Sequence, residues 1–118
     1  MGKVLLIDDL RFFRDERECV TARNSQDALK VLNIDDVWDE IWFDHDLGEL
    51  NGTVDSTMII VDYMCERAFN DSPVNVDIVY VHTSNPVGGK QIMLSLQKYG
   101  YNCLRVNAPD FFTTEGNL

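Results

Sequence analysis

Acids, imidazoles and hydroxyls gather in three short stretches of the chain. Asp8 and Asp9 stand side by side. Asp44, His45 and Asp46 run in succession, and His82 is followed by Thr83, Ser84 and Asn85. The chain holds 2 histidines, and each lies inside one of these stretches. Two imidazoles facing one phosphate act as general base and general acid at neutral pH. Asp44, Asp46 and other neighbouring carboxylates would hold their tautomers and favour the imidazolium. Asp8, Asp9 and Asp44 also suit a hard cation such as Mg²⁺, which takes a few carboxylates and keeps waters for a phosphate. Each group has an ordinary alternative. Asp commonly caps turns at strand ends, a histidine there is often a structural hydrogen-bonder, and imidazoles also ligate transition metals.

Phosphate ligands are expected from the third stretch and its sequel. Thr83, Ser84 and Asn85 supply hydroxyl and amide groups where a helix starts at Pro86-Val87-Gly88-Gly89. Free N–H groups and the dipole at a helix start favour an anion. Gly88 would permit close backbone approach, and Lys90 would add charge. Ser84 or Asn85 serves equally well as a cap. Arg11, three residues past Asp8, either clamps a phosphate bidentately or pairs with the acids beside it. Trp38 and Trp42 are expected in the core.

These groups need elements to position them. Residues 3–7 form an apolar run, the pattern of a strand covered on both faces. Further strands are expected over 18–22, 40–43, 77–81 and 101–106, and helices over 26–32, 53–69 and 87–99. Ser25 is the expected cap of the first of these helices, and the segment DHDLGELNG reads as a loop. The alternation predicts an α/β fold: a doubly wound, mostly parallel five-stranded sheet in the flavodoxin-like order 2-1-3-4-5. The first crossover is short, so its helix should be reduced to about one turn. In this order the ligand site lies at the carboxyl ends of the strands, and all three stretches fall there.

With 118 residues the chain suits one domain, with residues 107–118 as a tail whose Phe111 and Phe112 either pack on the body or fray. The net charge of −10 argues against coating duplex nucleic acid and against an anionic membrane. No apolar run approaches the ~20 residues of a membrane span. Cys19, Cys65 and Cys103 fit no zinc spacing and read as buried free thiols, which suits a reducing compartment. The start, MGKVLLIDD, enters a strand directly without a signal-peptide pattern, and Leu6 disfavours myristoylation at Gly2. The expected location is the cytoplasm.

The pattern resembles the receiver domains of response regulators. Asp8-Asp9 ends the first strand, Asp44 ends the third with Gly52 at the receiver spacing, and Thr83-Ser84 ends the fourth. Receivers carry a Lys-Pro after the fifth strand, whereas Asn107-Ala108-Pro109 stands here. The chain is more similar still to the receiver-like family held to process cyclic phosphates, common in phages and bacteria. Its three segments match Ile7-Asp8-Asp9-Leu10-Arg11, Asp44-His45-Asp46-Leu47-Gly48 and His82-Thr83-Ser84-Asn85-Pro86-Val87-Gly88.

The resemblance and the residues together imply a phosphoesterase. It would hydrolyse a cyclic nucleotide signal or a 2′,3′-cyclic phosphate at an RNA end, with His45 and His82 as the proton-transfer pair and a divalent cation as an optional cofactor. Two other readings are a module that sequesters a cyclic nucleotide intact, as a phage counter-defence protein would, and a receiver phosphorylated on Asp44.

Overall fold

The computed structural model describes residues 3–114, so Gly2 and tail residues 115–118 lie outside the described residues. Strand β1 (Val4–Ile7) pairs on both edges and is buried along its whole length because both faces of the sheet are covered there. The short β2 (Phe12–Phe13) follows, then β3 (Val20–Ala22), α1 (Ser25–Ile34) and β4 (Val37–Phe43). A hairpin of β5 (Asp46–Leu50) and β6 (Thr53–Ser56) leads into α2 (Met58–Phe69). The remainder is β7 (Asn75–Val81), α3 (Pro86–Lys98), β8 (Cys103–Arg105), a 3₁₀ turn (Ala108–Asp110) and β9 (Phe112–Thr113).

The main sheet is parallel in the order β3-β1-β4-β7-β8, which is the flavodoxin-like order. Its two faces are covered differently. Leu5, Ile7, Ile41, Phe43, Val79 and Val81 alternate onto one face, where they meet Ala28 and Leu32 of α1, Ile60 and Met64 of α2, and Ile92 and Leu96 of α3. Val4, Leu6 and Trp42 point the other way, into an aromatic layer with Phe13 and Phe112. Thus all three helices pack on one face, where the doubly wound pattern expects helices on both. The first crossover is too short to span the sheet as a helix, so β2 and β9 pair as an antiparallel ribbon over the second face instead. The expected turn of helix after β1 is replaced by this strand, and the tail packs on the body through Phe112.

Other departures are local. Asn24, rather than Ser25, caps α1 by accepting from the Asp27 amide, while the Ser25 hydroxyl donates to Asp55. The helix expected from residue 53 begins at Met58, because Asn51 and Gly52 both adopt positive φ (54° and 79°) and turn the chain into a hairpin. Such a turn matches the right-handed twist of its strands and favours Asn-Gly. Both tryptophans are buried. The three cysteines are free, but only Cys103 is fully buried, and burial raises its thiol to about 12. No helix among the described residues is long and apolar enough to cross a membrane.

Candidate functional site

The site forms where β1, β4 and β7 end. Asp8 follows β1 and folds the chain back on itself: its Oδ1 accepts from the amides of Leu10 and Arg11, both at 2.9 Å. Arg23 pins this loop by donating to the carbonyls of Asp8 and Arg11. The turn brings the Arg11 guanidinium over the acids, with Nη1 3.4 Å from Asp8 Oδ2 and 3.1 Å from Asp44 Oδ2. Asp44 Oδ1 accepts from the His45 amide at 2.8 Å.

His82, at the end of β7, sets its Nε2 2.8 Å from Asp8 Oδ2. Both residues are 0 % exposed. Phe112 covers the imidazole, with ring centroids 4.3 Å apart. Among the described residues His82 Nδ1 has no hydrogen-bond partner. An ionised carboxylate can only accept, so Nε2 carries the proton and Nδ1 is the basic atom of the neutral ring. Burial pushes Asp8 up, but the His82 hydrogen bond and the amides of Leu10 and Arg11 outweigh it and hold Asp8 below the usual carboxylate range. Asp44 goes the other way. Burial and the charge of Asp8 raise it, against the pull of Thr83, His82 and Arg11. Burial and both neighbouring acids also raise Asp9.

His45 is held separately. Its Nδ1 lies 3.0 Å from Asp46 Oδ1, and Asn85 reaches Asp46 Oδ2 at 3.4 Å. The imidazole packs against α3 at Gly88, where a Cβ would come within 2.5 Å of the ring. Hydrogen bonds to His45 and Asn85 lower Asp46, outweighing its slight desolvation.

Two depressions open on the surface here. One is acidic, lined by Asp8, Asp9, Asp44, Asp46, Gly48 and Ser84 among others. The other is cationic, with Arg11, His82, Thr83, Ser84, Arg105 and Asn107 in its wall. Arg11 and Ser84 belong to both. The expected site residues are therefore brought to one region, with four qualifications. His45 lines neither depression. Gly88 gives its amide to Asn85 Oδ1 at 2.9 Å and its open side to His45, so its close approach serves a side chain of this chain rather than a phosphate. Asn85 is the cap of α3. Lys90 lies apart, in a shallow apolar surface with Pro86, Val87 and Leu94.

Of the expected metal donors, Asp8, Asp9 and Asp44 line the acidic depression together. Asp8, Asp44 and His82 bring ligand atoms within 4.8 Å of one another, and Asp9 is outside this cluster. The imidazole suits a transition metal better than Mg²⁺. Arg11 already bridges the two carboxylates, and His82 already bonds Asp8, so a cation between them would have to displace both contacts. This donor set does not fit a Mg²⁺ ion with Arg11 in place. Sequence reasoning missed Arg105 and the covering Phe112. The open surface left by Gly89, against which the Arg105 guanidinium lies, is the one signal that pointed toward Arg105.

A parallel 2-1-3-4-5 sheet with acids after its first and third strands and a hydroxyl residue after its fourth is the architecture of a receiver. Residues 3–98 match the family described as the cyclic-phosphate processing receiver domain. The chain belongs to that family. No curated protein and no solved structure matches it.

Proposed function

We propose that the protein is a phosphoesterase that hydrolyses a cyclic phosphate, carried by a cyclic nucleotide or by an RNA end. The observation that carries this reading is the buried Asp8–His82 pair with its unpartnered Nδ1, set beside a cationic depression. A water oxygen would attack phosphorus as one ribose oxygen–phosphorus bond breaks. One imidazole takes the proton of the water and the other protonates the leaving oxygen. His82 is oriented by Asp8 and His45 by Asp46. Arg11 neutralises charge that develops on the phosphoryl oxygens. Because His82 is wholly covered, the Phe112 segment must shift for Nδ1 to reach a ligand.

A phosphorylated Asp44 fits the geometry less well, since Asp44 is buried and both of its oxygens are already bonded. The test is incubation with 2′,3′-cyclic nucleotides, 3′,5′-cyclic nucleotides and cyclic oligonucleotides, with Mg²⁺ or EDTA, followed by mass. Turnover is expected, and His82→Ala and His45→Ala should each abolish it. Near-normal activity of either variant removes the two-histidine mechanism. Ligand bound but released intact on heating replaces hydrolysis with sequestration.

A further inference from the structure

Arg105 closes β8, beyond residues 3–98 of the family match, and neither the proposed chemistry nor the family match assigns it a task. Among the described residues it has no acidic partner. Its guanidinium instead lies against the start of α3. Nη2 stands 3.4 Å from the carbonyls of Thr83 and Asn85, and Nη1 stands 3.4 Å from that of Pro86. These are long contacts, weak for a group with five donors. They hold the side chain in place and leave Nε and one further N–H without a contact among the described residues. The position depends on Gly89, since a Cβ there would come within 2.7 Å of Arg105 Cζ. The paired glycines of α3 thus make room for two site side chains, His45 at Gly88 and Arg105 at Gly89.

The same depression holds Arg11 from the β1 end, the hydroxyl residues Thr83 and Ser84, and His82 with its buried, unpartnered Nδ1. A formal net charge of −10 makes two guanidinium groups converging on one hollow a local reversal of the molecule's field. A planar guanidinium matches phosphate oxygens bidentately.

We propose that Arg105 is a phosphate-binding residue, gripping the anionic group of the ligand together with Arg11 in this depression. The inference rests on the reading that the crevice accepts a phosphate, and it extends the site to the fifth strand. It is independent of whether the bound phosphate is cleaved.

Calorimetric titration of the full chain with inorganic phosphate and with 2′,3′-cyclic AMP tests it, using wild type, Arg105→Gln, Arg105→Lys and Gly89→Ala, each with its melting temperature. Arg105→Gln should weaken both ligands by about tenfold or more, the usual cost of a charge-assisted contact. Arg105→Lys should fall between, because it keeps the charge and loses the fork. Gly89→Ala improves helix propensity and meets only the flexible end of Arg105, so it should bind more weakly while melting no lower than wild type. Affinity of Arg105→Gln and Gly89→Ala equal to wild type overturns the proposal, as does a wild type that binds neither ligand. Arg105-dependent binding without any turnover would sink the phosphoesterase reading alone.

Discussion

His82 Nε2 and Asp8 Oδ2 lie 2.8 Å apart with no solvent access to either side chain. This contact joins the ends of the first and fourth consecutive strands of the parallel sheet across the intervening β4. It fixes the imidazole tautomer and links the histidine to Arg11 through the same carboxylate oxygen. A carboxylate buried this deeply costs desolvation that only well-placed hydrogen bonds offset.

Replacing Asp8 by Asn keeps the shape and removes the acceptor charge, so the ring loses its enforced tautomer. Turnover of a cyclic nucleotide should fall by about 10²- to 10⁴-fold, the usual worth of positioned proton transfer. Steady-state kcat of Asp8→Asn checks it, and a value near wild type would show that the pair is structural.

Asp8 and Asp44 should respond oppositely to pH. Asp8 is held below its ordinary value of 3.8, so its charge adds stability that is present above that value and lost as pH falls through the folded value. Asp44 is raised above 3.8, so its contribution is full below that value and lost as pH rises through the folded one. At pH 7, Asp44→Asn should therefore unfold at higher urea than wild type, and Asp8→Asn at lower urea. The Asp44→Asn advantage should vanish below about pH 3.8. Urea titrations across this range decide it.

Gly88→Ala places a Cβ against the His45 ring and should drive it off Asp46. If His45 transfers a proton, this variant should match His45→Ala in turnover while keeping its imidazole. Gly88→Ala with wild-type rates would show that His45 works from another position.

Phe112 is 3 % exposed and packs edge-on against Trp42 and at a tilt against Phe13 and His82. Truncation to Ala should cost about 3–5 kcal/mol, as for other buried phenylalanines. It should also uncover His82, which the pH dependence of its ring proton shifts would report. A stability loss well under 1 kcal/mol would mean that the second face of the sheet does not depend on this cover.

Much of the fold was legible in the chain. The apolar run ending at Asp8-Asp9, the strand ending at Asp44 and the run ending at His82 gave the central strands. The alternation with helices gave the sheet order. The segment DHDLGELNG, expected as a loop, forms the first strand and turn of a hairpin, and the apolar periodicity of α2 was carried too far upstream through the second strand, as far as residue 53. Two-residue strands such as β2 and β9 carry no periodicity, so their pairing could not be read from either segment alone.

Local sequence determined which groups end each strand, because strand and turn chemistry act over a few residues. It placed Asp8, Asp44 and His82 at one end of the sheet and left each pairing open. Tertiary structure decided those pairings: Asp8 with His82 across 74 positions, Asp44 with Arg11 across 33, and His45 onto the open side of Gly88. It also decided that Lys90 faces away while Arg105 enters. Side-chain direction depends on the packing of helix on sheet, and a covering such as Phe112 over His82 exists only once distant segments share one core.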